Sequence, residues 1–359
     1  MNETARNAIR QTMHEVMEAA RMPGIVVVVA GNMAGAEHLL IGEDAGGRPL
    51  THDSLFPVAS VTKLATALAV LRLVDRNELA LDDTLAAHLP EAAAAQPTLR
   101  DLLSHTSGLA YDLPEDAAPY DKGLSWPALA QACLGVMARS VPRARVEYSN
   151  IGYGLLALVV ERRTGLAFPQ ALRQLVLEPL GVEAYLGDEP PRAPVLLSGV
   201  RGAGAGTELE IFNSAFWRGL GLPWSGLLTT TGGAMRLIQA FGGRPPGFLS
   251  TGLLDEATRN QVGDLECRLF GLIPWQRCHW GLGPELRDGK TPHWTPPEAS
   301  PRSFGHAGQS GCVVWADPAA GLAWAILGTR TADNGWLLKQ APRIGATILK
   351  HHAMRQDTP

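Results

Sequence analysis

The sequence predicts an α/β (α+β) fold: an antiparallel sheet built from both ends of the chain and flanked by helices, with an all-helical lobe inserted between. Three observations predict it. Strand-like runs cluster near both termini, while the middle of the chain reads as helical segments joined by Pro- and Gly-marked turns. At 359 residues the chain exceeds the roughly 250–300 at which one core stops growing. Residues 1–75 and 225–359 are therefore assigned to a sheet-containing lobe and residues 76–224 to the helical insertion.

The N-terminal segment places Ala5, Ile9, Met13, Val16, Met17 and Ala20 on one helical stripe. After Pro23-Gly24, the run Ile25 to Ala30 is β-branched and apolar, which predicts a buried strand. Asn32 to Gly35 supply a turn, and His38 to Gly42 a hairpin partner. Leu64 to Leu71 is apolar on every face, the pattern of a helix enclosed on all sides. Thr98–Ser104 and Gly154–Arg163 read as helices, and 185–207 as a loop. Strand signals return at Trp280–Leu282, Cys312–Trp315 and Leu322–Leu327, with a hairpin turn at Asp317–Gly321. Trp336–Met354 reads as a closing helix.

Composition narrows the function. The net charge is -4, with Lys+Arg 31 against Asp+Glu 35 and no basic run, so nucleic acid is not expected as a partner. No stretch approaches the roughly twenty apolar residues of a membrane span, and the N-terminus lacks a signal-like apolar run, so a cytoplasmic location is expected. Cys133, Cys267, Cys278 and Cys312 lack paired zinc spacing and are expected to be reduced structural thiols. The cluster of Cys267, Cys278 and His279 has no second ligand pair, so no metal is expected.

Chemistry concentrates at Ser60 and Lys63. A serine hydroxyl becomes a strong nucleophile only when a base takes its proton. Three residues apart at the start of a buried helix, the two side chains share a face. Apolar surroundings disfavour the ammonium and lower a lysine toward general-base range. Of five lysines only Lys63 follows a serine by three. The plainer alternative, a capping serine with a solvent lysine, leaves Lys63 no polar stripe to occupy.

The segment Phe56–Lys63, FPVASVTK, resembles the nucleophile segment of the penicillin-recognising serine hydrolases. These include class C β-lactamases, D-alanyl-D-alanine carboxypeptidases and family VIII carboxylesterases, and the resemblance implies a β-lactamase/transpeptidase-like fold. Tyr148-Ser149-Asn150 matches the family's Tyr-x-Asn element. His306-Ala307-Gly308 matches its third, strand-borne element better than His279-Trp280-Gly281, because two strands and a helix follow it. Leu102–Leu109 and Gly226–Thr231 resemble further family segments, and His105 within the first is read as a core histidine. The likeness spans about residues 24–330, weakest over 185–220 and 250–302, where specificity is expected to lie.

The resemblance implies an acyl-enzyme mechanism. Lys63 with Tyr148 takes the Ser60 proton, and the backbone N–H groups of Ser60 and Gln309 hold the oxyanion. Tyr148 then protonates the leaving group, and Asn150 orients Lys63 and substrate. His306, followed by Gly308, contacts a substrate polar group or tunes Tyr148. No metal or organic cofactor is needed, and the expected partner is a small ester or amide. Histidine where β-lactamases carry lysine resembles certain peptidases and esterases, and the expected cytoplasmic location, away from peptidoglycan, favours a carboxylesterase acting on small acyl esters. β-Lactamase or D-alanyl-D-alanine carboxypeptidase activity is the second reading, followed by an acyltransferase and a non-catalytic scaffold. No Gly-x-Ser-x-Gly elbow is present, which disfavours a conventional α/β-hydrolase. Trp217, Trp224, Trp275, Trp280 and Trp294 are candidates for an acyl pocket, although tryptophan is more often a core residue.

Overall fold

A six-stranded antiparallel sheet carries the fold in the computed structural model, which describes residues 1–31, 35–202, 204–268 and 275–356. Its strands are β1 (Gly24–Gly31), β2 (Glu37–Gly42), β3 (Glu285–Leu286), β4 (Phe304–Gly308), β5 (Cys312–Asp317) and β6 (Leu322–Gly328). They run in the order β2-β1-β6-β5-β4-β3, so the first strands of the chain are sewn to the last. Ile25 of β1 lies opposite Gly328 of β6 and Ile41 of β2. The turn expected at Asn32 to Gly35 falls largely outside the described residues.

Both faces of the sheet are covered, which explains the unbroken apolar run of β1. Successive strand side chains point to opposite faces. Ile25 and Val27 accordingly join one core cluster and Val26 and Val28 another. The first cluster includes Ile9, Met13 and Val16 of helix α1 (Glu3–Ala20). The second includes helix α2 (Thr62–Asp75), helix α3 (Asn150–Thr164) and helix α4 (Thr231–Phe241). Helix α5 (Ala341–Gln356) packs beside α1 through Ile344 and Ile348. Between α2 and the short strand Leu228–Thr229 the described chain is mostly helix and loop. Among the described residues no helix is long and apolar enough to cross a membrane.

Three expectations are corrected. Trp280–Leu282 is not a strand: Gly283 at φ +112 turns the chain, and the Trp280 indole donates to its carbonyl at 3.0 Å. The strand forms after that turn, as β3. The closing helix is broken at Gln340, where Trp336–Lys339 ends and α5 begins with Ala341-Pro342, because proline cannot continue the preceding turn. Cys267 and Cys278 are joined in a disulfide, whereas Cys133 and Cys312 are free and buried. The bridge pairing Glu266 with Arg277, and the Cys267 N–H bond to Gln276 O at 3.1 Å, set the two cysteines side by side. Their Cα atoms lie 5.5 Å apart, within bonding reach.

Candidate active site

Ser60 sits in a one-turn 3-10 helix, Ala59–Val61, that leads into α2. Ala59 adopts φ +42, a left-handed conformation that costs a non-glycine residue about 1 kcal/mol. Surrounding bonds hold it there. Val58 N–H donates to Leu227 O at 3.0 Å, and Leu227 N–H donates to the Thr62 hydroxyl at 3.0 Å. Strand β4 presses on the same turn, where a Cβ at Gly308 would meet Val58 O at 2.5 Å. Only glycine permits that approach.

Lys63 is completely buried on α2. Its Nζ lies 2.8 Å from Asn150 Oδ1, 3.0 Å from Trp224 O and 3.3 Å from Ser60 Oγ. Burial drives the amine well below the usual lysine range, and the charge of Asp112 opposes this without reversing it. Two of the neighbours are fixed acceptors. The third, a hydroxyl, can donate as well as accept.

Tyr148 covers the lysine, with Nζ 4.7 Å from the ring centroid. Its phenol hydrogen-bonds Ser60 and lies 3.4 Å from His306 Nε2. Burial pushes the phenol well above its ordinary value, so it is a proton carrier and not a phenolate. His306, on β4, keeps its other ring nitrogen 2.7 Å from Ala307 O. Burial, reinforced by Lys63, lowers His306 to about 4, and the ring is neutral at physiological pH. Asn150 opens α3 with Ser149 as its cap, the Ser149 hydroxyl accepting from Gly152 N–H at 3.1 Å. Asn150 Nδ2 donates to Asp112 Oδ2 at 3.3 Å, which fixes the amide so that Oδ1 faces Lys63.

Ser60 with Lys63, Tyr148 with Asn150, and His306 are thus brought together from three separate segments of the chain. Gln309 follows β4 with an exposed side chain that donates to Asp333 Oδ1 at 2.6 Å. His279 instead pairs with Asp288, 3.0 Å away. Of the tryptophans, Trp280 stands against Tyr148 and His306 at centroid distances of 5.6 and 5.7 Å. Trp224 contributes its carbonyl to Lys63, and Trp217 and Trp275 are core residues.

Three features of the site escaped the sequence. His105, at φ +59, accepts at Nδ1 from Ser149 N–H at 3.1 Å and at its carbonyl from Glu147 N–H at 2.8 Å. It thereby grips the backbone on both sides of Tyr148 and stacks on the ring at 4.3 Å. The Cys267–Cys278 disulfide braces the same segment, since Val146 pairs in parallel with Cys267. Glu285 of β3 forms a buried cluster: Oε1 accepts from Lys290 Nζ at 2.8 Å and His293 Nε2 at 3.0 Å, and Oε2 from the Trp294 indole at 3.0 Å. Glu285 is held to about 2 by Lys290 and His293 against the opposing effect of burial. Burial lowers His293 to about 4, leaving a neutral ring that donates to the carboxylate.

This fold and its serine–lysine centre define a serine hydrolase of the penicillin-recognising kind. The chain belongs to the β-lactamase family, whose sequence pattern matches residues 9–347. It is 32% identical to esterase EstB of Burkholderia gladioli over 89% of this chain and 89% of that protein. Penicillin-binding protein 4 of Amycolatopsis lactamdurans is 30% identical, over 78% of this chain and 74% of its own. A β-lactamase from Mycobacterium bovis superposes with a TM-score of 0.68 at 28% identity, covering 95% of this chain and 99% of that one.

Proposed function

We propose that the chain is a carboxylesterase that cleaves small acyl esters through an acyl-enzyme on Ser60. The observation carrying this reading is the set of groups around Lys63 Nζ. A neutral amine donates its two N–H bonds to Asn150 Oδ1 and Trp224 O, and its lone pair is left facing the Ser60 hydroxyl. Ser60 Oγ attacks the ester carbonyl as its proton passes to Lys63. Backbone N–H groups of Ser60 and Gln309 receive the oxyanion, whose stabilisation is commonly the largest catalytic contribution. The proton moves through Tyr148 to the departing alcohol, and His306 holds the phenol by accepting from it. Water, activated by the same pair, then releases the acid. Asn150 keeps Lys63 aligned throughout.

Ester cleavage is favoured over β-lactam cleavage because His306 is neutral, so it offers no fixed cation to a β-lactam carboxylate. The similarity to an esterase over 89% of both chains supports the same choice. Hydrolysis of 4-nitrophenyl butyrate and of a chromogenic cephalosporin, by wild type and Ser60→Ala, tests it. Ester turnover that vanishes in the variant, with little cephalosporin hydrolysis, is the expected result. Ser60-dependent cephalosporin turnover as the main activity would replace the esterase reading with a β-lactamase.

A further inference from the structure

Asp112 lies one hydrogen bond outward from the centre. Its Oδ2 accepts from Asn150 Nδ2 at 3.3 Å, and Oδ1 from Leu113 N–H at 3.0 Å. Asn150 and Lys63 behind it are buried, whereas Asp112 and its neighbour Tyr111 are exposed. The carboxylate therefore stands where the Lys63–Asn150 pair meets solvent. Among the described residues no lysine, arginine or histidine forms an ion pair with it. The one cation it senses across the site is Lys63, and a Lys63 that serves as base is uncharged and neutralises nothing. His306 is also neutral. A negative charge without an ion-pair partner thus stands at the outer end of the chain of hydrogen bonds that runs through Asn150 and Lys63 to Ser60.

We propose that Asp112 is a specificity-determining residue that selects cationic, ammonium-bearing esters or amides over neutral ones of the same shape. This rests on the Ser60 hydrolase reading above and names the substrate class that site takes. The ammonium supplies the missing counter-ion of Asp112, and Asn150 links the two events: its amide donates to Asp112 while its oxygen aligns Lys63. A cation bound at Asp112 is held at the outer end of the Asn150–Lys63 relay that reaches Ser60, and the same contact shields Lys63 from the carboxylate. Desolvation by the protein packed around it raises the Asp112 carboxyl above its ordinary value although the side chain reaches solvent, and the bonds from Leu113 N–H and Asn150 only partly oppose this.

The test uses isosteric ester pairs differing only in charge. On the acyl side these are methyl 6-aminohexanoate and methyl heptanoate. On the alcohol side they are acetylcholine and 3,3-dimethylbutyl acetate. Titrating released acid with wild type, Asp112→Asn, Asp112→Glu and Asp112→Lys gives kcat/KM for each. The expected result is a cation preference of about tenfold in at least one pair, the range of a partly exposed charge pair. Asp112→Asn abolishes this preference, Asp112→Glu retains part of it, and Asp112→Lys reverses it. High salt shrinks the preference in wild type, Asp112→Glu and Asp112→Lys and has none to shrink in Asp112→Asn. A wild type indifferent to charge in both pairs, or a preference that survives Asp112→Asn, overturns the proposal. A wild type that hydrolyses neither member of either pair, nor 4-nitrophenyl butyrate, overturns the hydrolase reading itself and is recognisably different.

Discussion

Replacing Glu285 by glutamine keeps the side-chain volume and removes one charge from an enclosed site. Lys290 then keeps only neutral acceptors, the amide oxygen and the carbonyls of His279 and Leu286 at 3.1 and 2.6 Å, and its ammonium stays buried without a counter-ion. The wild-type carboxyl stands at about 2 in place of 4.5, a depression equivalent to about 3 kcal/mol. Breaking one half of a buried pair costs roughly 3–5 kcal/mol by an independent measure. With an unfolding entropy of roughly 2 cal/mol/K per residue, a loss of that size in 359 residues lowers Tm by about 4 °C. Calorimetry at neutral pH reads the shift directly. The sign follows from the depressed carboxyl: its contribution is complete above pH 4.5 and is lost as pH falls toward 2. The gap between wild type and variant therefore closes in acid. The double variant Glu285→Gln, Lys290→Met removes both charges and recovers most of the loss, since apolar replacement of buried pairs is often neutral or better. A Glu285→Gln melt indistinguishable from wild type, or a double variant no more stable than the single, refutes the reasoning.

Two further outcomes are expected. Ester kcat/KM rises with pH as Lys63 loses its proton, and because burial lowers that proton's affinity the rise is complete well below the ordinary lysine value of 10.5. A rise centred at that value in the pH profile contradicts the assignment, as does full activity in Lys63→Arg, whose side chain keeps its proton. Reducing the Cys267–Cys278 disulfide, or replacing both cysteines by serine, removes a cross-link spanning 11 residues. The expected cost is about 3 kcal/mol. Activity falls with it because the bond braces the strand just before Tyr148; melting curves and ester rates with and without reductant measure the two effects.

The site was legible where its chemistry is written locally. Ser60 and Lys63 lie one helical turn apart, and the wholly apolar run after them showed that the lysine had to be buried. Tyr148 and Asn150 were found through a three-residue pattern, and His306 through the strands that follow it. The two-sided burial of β1 was equally plain in its β-branched run. What stayed hidden depends on contacts between distant segments. Cys267 and Cys278 look like unrelated thiols until the bridge at Glu266 and Arg277 sets them together. Glu285, Lys290 and His293 carry no periodicity, since an irregular loop folds them onto one another. Asp112 looks like any loop carboxylate until α3 brings Asn150 beneath it.

The sewing of β1 to β6 also sets a timetable. Ile25 finds its neighbour in β2 almost at once, but its other neighbour, Gly328, is made some three hundred residues later. At roughly 5–20 residues per second that is a wait of about 15–60 s. Throughout it, one edge of a valine-rich strand stands open on the nascent chain, a surface that invites pairing with the wrong partner. Ser60 leaves the ribosome early in that interval, yet Gly308 and His306, which press against its turn and its tyrosine, are still unmade. The centre is therefore assembled by the last strands to arrive, and a growing chain carries no finished site to attack its surroundings.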